Sequence, residues 1–270
     1  MRTEHLSNRL KISIKLICAA LYAAVSRLLQ RGPSRVVLLY HGVDKAHLAG
    51  FRKQMAYLAK KCTVVKPSEI VTGNPEKTKA VVALTFDDAF VSFFENALPV
   101  LKEYGLPAAV FVPTGSLGRR PGWTIYDDCL AVDETVMSEQ RIAALDHEGI
   151  EISSHTVSHS ALTDLDDTGL EAELVGSKRR LEEILGHEVS GISYPYGACD
   201  ARVYQAAHKA GYKVGFTVEP DKVNGSTERL RIGRFKVAPC ETFIEFKLKV
   251  DGAYHVAGYL KRLKAFLLRS

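Results

Sequence analysis

Short apolar segments alternate with amphipathic ones along the chain after Gly32-Pro33. Three runs rich in β-branched and aliphatic residues, at positions 35–40, 80–86 and 108–112, predict buried strands. A helix predicted over 94–104 should end at Gly105, because glycine favours helix C-termini. The same patterns predict strands at 150–153, 190–194 and 214–217, and helices around 51–59, at 138–148, behind a capping box at 168–171, and at 201–210.

Repeated strand–helix units with nearly continuous apolar strands indicate a parallel sheet covered by helices, an α/β fold. A closed barrel and an open doubly wound sheet both fit this pattern. In either architecture the active site lies at the carboxyl ends of the strands, and the polar motifs described below follow predicted strands directly. The long segment at 113–136 is interpreted as a rim loop or functional insertion.

Composition narrows the range of partners. The 270-residue chain is 46% hydrophobic, enough to bury a core, and carries a formal net charge of +5. A mildly basic protein suits an anionic membrane surface or an acidic glycan. The sequence contains no dense run of lysine and arginine and no recognition motif, so nucleic acid is not an expected partner.

The two ends of the chain differ from its central part, residues 34–250. In residues 1–33, basic side chains flank an apolar run that is too short to span a bilayer. This segment fits an amphipathic helix on a membrane surface, a signal segment, cleaved or not, or a helix packed on the domain. Residues 251–270 predict a C-terminal amphipathic helix. Peripheral membrane association or a cytoplasmic location is therefore favoured over export.

Cysteine usage gives little sign of a cross-linked fold. The five cysteines are an odd number, and no two of them form a Cys-x-x-Cys pair. We therefore expect neither a disulfide framework nor a cysteine zinc site, and we interpret the cysteines as small buried apolar residues.

Two polar motifs carry the strongest chemical signal. Asp87 and Asp88 close the strand at 80–86; both carboxylates can face one cleft if the strand geometry breaks there, although such a pair can also simply cap the next helix. His155 and His159 follow the strand at 150–153, and their i, i+4 spacing on a helical turn would put both imidazoles on one face. Two imidazoles, one carboxylate and an open position are typical of a catalytic zinc site.

A third motif, Tyr194-Pro195-Tyr196-Gly197, predicts a turn in which the backbone N–H of Tyr196 can point at a substrate oxygen. Together, TFDD, HTVSH and the PYG turn resemble, in order and spacing, the polysaccharide deacetylase family, also called the NodB-homology or carbohydrate esterase family 4 proteins. The resemblance runs from about residue 36 to about residue 237. It implies a single domain with an irregular (β/α) barrel.

The resemblance implies a role for each matching residue. Asp88, His155 and His159 would bind one divalent metal ion, with Zn²⁺ favoured and Co²⁺, Ni²⁺ or Mn²⁺ as substitutes. Asp87 would be the general base for the attacking water, and the N–H of Tyr196 would stabilise the oxyanion. The implied reaction is hydrolysis of the N-acetyl group of an amino sugar, in a glycan or a lipid-linked substrate.

Departures from the family pattern indicate one of its branches. Ala89 stands where many members have glycine, Ser193 stands where many have an arginine that orients the base, and no Leu-x-His motif follows the PYG turn. These features, together with Tyr40-His41 after the first strand, are similar to the poly-N-acetylglucosamine deacetylases. Arg234 is the candidate replacement for the missing arginine.

Amide hydrolysis also needs an acid, because an amide anion is too basic to leave unprotonated, and histidine suits this role near neutral pH. His41 directly follows a strand, so it should open onto the same rim as Asp87 and His155. His255 is the alternative if His41 lies too far away. The other histidines of the central part lie in or beside predicted helices: His47, His147, His187 and His208.

Two other functions remain open at this point. A metal hydrolase could act on another C–N bond, such as that of a formamide or an imide, because the same water attack serves any such carbonyl. A catalytically inactive carbohydrate-binding barrel would keep the fold without the chemistry, but the intact set of acidic and histidine residues argues against it.

Overall fold

A computed structural model of the chain describes residues 33–72, 79–125, 129–130 and 133–254. The predictions for residues 1–33 and 251–270, including peripheral membrane contact, lie outside the described residues except at 33 and 251–254. The alternative acid His255 also lies outside them. Within the described ranges, no helix is both long enough and apolar enough to cross a membrane.

The described part of the chain contains eight strands: β1 (Arg35–Tyr40), β2 (Cys62–Val65), β3 (Ala80–Phe86), β4 (Ala109–Val112), β5 (Glu151–Ser154), β6 (Gly191–Ser193), β7 (Val214–Phe216) and β8 (Phe235–Lys236). They are parallel and form one curved sheet in the order β7-β6-β5-β4-β3-β1-β8, with β2 added beside β3. On one side of β3, its beginning pairs with β2 and its end pairs with β4, so the sheet is irregular at its centre. The irregular (β/α) barrel is thereby confirmed.

Five of the six α-helices in the described ranges lie close to their predicted positions, one of them with an error at its start, whereas the helix Phe243–Val250 was not predicted. Gly105 ends the helix Leu98–Tyr104 in the left-handed conformation, at φ 62°, as its sequence predicts. The capping box predicted at 168–171 is wrong, because the Asp166 carboxylate accepts the Gly169 N–H and the helix Asp167–Leu185 therefore begins earlier. The helices are α1 (Leu48–Lys61), α2 (Leu98–Tyr104, after a π-helical turn at Phe93–Ala97), α3 (Glu139–His147), α4 (Asp167–Leu185), α5 (Ala201–Lys209) and α6 (Phe243–Val250).

Alternate residues of the central strands enter two different apolar cores. Val36 and Val82 pack toward the helices, whereas their neighbours Val37 and Val81 belong to a separate cluster with Phe111. Each fully buried aliphatic or aromatic side chain contributes roughly 1.5–3 kcal/mol to folding. Because apolar side chains cover both faces of the sheet, the central strands are nearly continuous apolar segments. The same packing fixes the positions of their carboxyl ends.

The cysteine prediction is wrong at two positions. Cys129, from the long segment before α3, forms a disulfide with Cys240, which lies between β8 and α6. The two residues are 111 positions apart, so the fold rather than any local spacing brings them together. Cys62 is buried as expected, and Cys199 is half-buried.

Candidate active site

Backbone breaks at three strand ends form the framework of the site. Among the described residues, positive φ outside glycine occurs at Asp88, Ala89, Thr156, His159 and Tyr196, with φ between 50° and 69°. Such a conformation costs about 1–3 kcal/mol for each residue that has a Cβ. Four of the five belong to the three motifs, and Ala89 directly follows the first motif. The break after β3 allows the two aspartates to face one cleft.

The segment carrying the two histidines is an irregular turn, and the predicted helical turn is wrong. Two of its residues, Thr156 and His159, are left-handed, which a right-handed helix does not accommodate. The Glu173 carboxylate on α4 instead accepts the backbone N–H groups of Val157 and Ser158 at 2.8 and 2.9 Å. This anchors the turn and directs both imidazoles toward β3.

Asp88, His155 and His159 converge on one point. The Nε2 atoms of His155 and His159 lie 3.6 and 3.3 Å from Asp88 Oδ1, and the candidate ligand atoms all lie within 4.8 Å of one another. His155 Nδ1 lies 2.8 Å from the carbonyl oxygen of Ser193, which orients its Nε2 into the cluster. Asp88 Oδ1 is buried and has no hydrogen-bond partner among the described residues. This donor set fits a divalent cation such as zinc.

The electrostatics of this cluster favour a cation. Burial raises the pKa of Asp88, and the nearby His41 and His155 offset this only in part. Burial also lowers the pKa of His159 to about 2, so its imidazole is neutral, as metal binding requires. A cation bound beside Asp88 would supply the positive charge that stabilises its ionised carboxylate.

Asp87 has different partners. Arg234 donates two hydrogen bonds to its carboxylate, Nη1 to Oδ1 at 2.7 Å and Nη2 to Oδ2 at 2.8 Å. Burial would raise the pKa of Asp87, but the Arg234 guanidinium outweighs it and holds the pKa well below its usual range. Arg234 is itself fully buried, and its Nε donates to the carbonyl oxygen of Thr217 at 2.9 Å. The structure therefore puts the predicted replacement arginine beside the candidate base.

Ser193 and Trp123 also belong to the site. In the sequence, Ser193 is marked only as a departure from the family pattern, and no motif indicates Trp123. Ser193 Oγ donates to Asp87 Oδ2 at 3.1 Å and accepts from Arg234 Nη2 at 2.7 Å. The ring of Trp123 stacks on His159 with centroids 4.1 Å apart. Its buried indole N–H makes no hydrogen bond of normal geometry within the described ranges, but it faces Asp88 and lowers the pKa of that carboxyl.

Both aspartates, both histidines and Trp123 line one cavity of about 140 Å³, whereas Arg234 and Ser193 are not among its lining residues. His41 follows β1 and contributes to this cavity, as expected for a residue on that rim. Thr124 and Ile125 come from the predicted rim loop, and Val218 and Lys236 complete the wall. The exposed ring of Tyr196 packs edge-on against His159, with centroids 4.8 Å apart.

The PYG turn needs its glycine. Gly197 has φ 68°, and a Cβ there would lie 2.4 Å from Cγ2 of Val218, which also lines the cavity. The backbone of the turn therefore packs closely against the active site, and Tyr196 lies at the edge of the cavity.

Comparisons with known proteins agree with this fold and identify the family. A family model for polysaccharide deacetylases matches residues 74–215. YxkH of Bacillus subtilis (strain 168), whose description is also that of a polysaccharide deacetylase, is 26% identical over 212 residues, which cover 75% of this chain and 71% of YxkH. A poly-β-1,6-N-acetyl-D-glucosamine N-deacetylase of Staphylococcus aureus is 25% identical over 169 residues, which cover 59% of this chain and only 55% of that protein.

Two solved structures share the fold. The deacetylase PplD of Streptococcus pyogenes, solved with acetate, superimposes with a TM-score of 0.67 at 22% identity, over 81% of this chain and 98% of PplD. IcaB from Ammonifex degensii gives a TM-score of 0.66 at 23% identity, over 82% of this chain and 97% of IcaB. The family match spans more than half of the sequence and contains the acidic and histidine motifs. The chain therefore belongs to the polysaccharide deacetylase family.

Proposed function

We propose that the chain hydrolyses N-acetyl groups of N-acetylhexosamine-containing glycans, using one divalent metal ion, with zinc favoured, held by Asp88, His155 and His159. The observation that carries the proposal is the pair of adjacent buried carboxylates, which share His155 as a neighbour but differ in their principal partners. Asp87 is bound to Arg234, while Asp88 faces two imidazoles. The staphylococcal relative, named as an N-deacetylase of poly-β-1,6-N-acetyl-D-glucosamine, supports the choice of substrate class.

The side chains divide the reaction between them. A cation at the Asp88 cluster would supply a Lewis acid that polarises the acetyl carbonyl. Asp87, held ionised by Arg234, accepts a proton from the attacking water. The backbone N–H of Tyr196 stabilises the negative charge that forms on the carbonyl oxygen. His41, across the same cavity, protonates the departing nitrogen, so that acetate and a free amine are the products.

The test is product analysis with a small substrate panel. Oligomers of N-acetylglucosamine, their N-formyl analogues and a cyclic imide are incubated with the zinc-loaded chain and with Asp87→Ala as the inactive control. We expect acetate and free amine in equal amounts from the acetylated oligomers, and none from the control. Release of formate alone, or ring opening of the imide alone, would favour the other hydrolase. Glycan binding without any product would favour the inactive barrel.

A further inference from the structure

A second group of metal-ligating side chains lies outside the active site. His47, Cys129 and Cys240 offer one ligand atom each, and these atoms lie within 4.8 Å of one another. His47 ends a short 3₁₀ turn before α1, Cys129 belongs to the rim-loop segment, and Cys240 follows β8. Within the described residues, none of the three lines the active-site cavity. The deacetylation mechanism therefore gives this cluster no role.

The surroundings of the cluster favour a cation. A cavity of about 290 Å³ is lined by His47 and Cys240, and also by Glu241. The side chain of Glu241 is only 8% exposed, and one of its oxygens pairs with Lys249. Its other oxygen, Oε1, is buried and has no hydrogen-bond partner in the described part of the chain. A carboxylate with one oxygen that has no partner among the described residues thus lines the same cavity as His47 and Cys240.

We propose that His47, Cys129 and Cys240 bind one zinc ion when the disulfide is reduced. Two thiolates and an imidazole are soft and borderline donors that suit zinc, and they leave a fourth position for water from the cavity. The donor set differs from that of the active site, where a carboxylate and two imidazoles converge. The two sites should therefore be distinguishable by spectroscopy.

The redox step needs a dithiol reductant. Two electrons pass from the dithiol to the Cys129–Cys240 bond, the dithiol becomes a disulfide, and each cysteine gains one proton as its sulfur is released. Zinc binds thiolates, so both protons leave again when the metal enters. His47 binds through a neutral ring nitrogen and releases none.

The disulfide and the proposed zinc site would each connect the same two segments of the chain, the rim-loop segment and the segment after β8. The rim-loop segment that contains Cys129 also carries Trp123, which stacks on His159. It carries Leu130 as well, whose Cδ2 lies 2.9 Å from where a Cβ on Gly42 would be. The disulfide in the oxidised chain and zinc in the reduced chain would each hold this wall of the active site against the segment after β8.

The test is a Co²⁺ titration of the full chain after reduction with excess dithiol and desalting without oxygen. We expect a thiolate-to-cobalt charge-transfer absorption in the reduced protein, lost on adding zinc and absent from the oxidised protein. The active-site cluster has no sulfur ligand, so it does not contribute to this signal. Cys240→Ser should abolish the absorption, and because Cys240 is exposed, the variant should keep its fold. Cys199→Ser, which changes a free cysteine elsewhere, is the matched control.

His47→Ala should weaken Co²⁺ binding at this site by at least about tenfold, the scale on which even indirect metal partners act. Far-UV circular dichroism checks that each variant is folded. The proposal is overturned if the reduced chain shows no charge-transfer absorption, or if Cys240→Ser retains all of it. Neither result depends on whether the chain deacetylates a glycan.

Discussion

Asp87 and Asp88 are neighbours in the chain and are almost equally buried, with 3% and 5% of their surfaces exposed, but their surroundings differ. Both oxygens of Asp87 accept hydrogen bonds from the guanidinium of Arg234, which lies behind the site. Oδ1 of Asp88 faces two imidazoles and has no hydrogen-bond partner among the described residues. As a result, the pKa of Asp87 is lowered, while that of Asp88 is raised.

This difference shows how two adjacent aspartates at the end of β3 can have different catalytic roles. The fold itself supplies the positive charge that keeps Asp87 ionised, so its ionisation does not depend on a bound ion. The charge beside Asp88 is left for a cation to supply. Two carboxylates with environments that push their pKa values apart are a recurring basis for dividing catalytic roles.

The largest effect on turnover is expected from removing the two imidazoles that face Asp88. Replacing both His155 and His159 with alanine should remove the bound metal and lower turnover by at least about 10³-fold, because the carbonyl loses its Lewis acid. Metal content by mass spectrometry and acetate release measure the two losses together. His187→Ala is the matched control, since that histidine lies half-exposed at the surface beside Asp146. Full activity in the double variant would disprove the assignment.

Asp87→Asn should lower turnover by about 10²-fold or more while the metal stays bound. It should also lower the free energy of unfolding by about 3 kcal/mol, because the buried Arg234 loses its counter-charge. Denaturant unfolding measures this loss. Asp167→Asn, at an exposed ion pair with Arg202, should change stability by less than about 1 kcal/mol. A variant that loses its metal but turns over normally when resupplied would contradict the role of base.

His41→Ala should keep the fold and the metal but lower turnover by about 10²-fold, because the leaving nitrogen loses its proton donor. The loss should chiefly change the limb of the pH–rate profile that is set by the acid. A phenol-like leaving group, which needs no acid, should restore most of the rate. If the pH–rate profile keeps its shape and the phenol-like leaving group restores no activity, His41 is not the acid.

The smallest effect is expected for Arg234→Lys, which keeps a positive charge but loses the paired hydrogen bonds. Burial then raises the pKa of Asp87 with less opposition. Because the base must be unprotonated, the acidic limb of the pH–rate profile should move to higher pH, with a loss of about tenfold in rate on that limb. Arg231→Lys, at a position near Tyr204, is the control. An equal loss at every pH would indicate a purely structural role.

Much of the fold can be predicted from sequence because its central strands are covered on both faces. β1 and β3 have the predicted bounds, since a strand buried on both sides is a nearly continuous apolar run, and an ionisable residue, His41 or Asp87, follows each of them. The candidate metal ligands could also be predicted, because each lies in a short motif directly after a strand. The short strand β8 could not, because its two residues have no pattern of their own.

The remaining parts of the site depend on contacts between distant segments. Ser193 contacts Asp87 across 106 positions, and the Cys129–Cys240 pair spans 111. Local patterns contain no information on such pairs. Arg234 was only a candidate replacement in the sequence, and its paired hydrogen bonds to Asp87 appear only once β8 lies beside β1. The left-handed residues in the histidine turn likewise have no composition signal, which explains the wrong helical turn.

The most direct test of the central claim is a zinc titration of the metal-free full chain, with acetate release measured at each point and the disulfide kept oxidised. We expect one zinc per chain, with acetate release from an N-acetylglucosamine oligomer rising in proportion to it. Asp87→Asn should bind the same equivalent and release little acetate, and Asp88→Ala should do neither. Undiminished acetate release by the metal-free chain, or one equivalent of zinc bound equally by Asp88→Ala, would contradict the division of roles between the two aspartates.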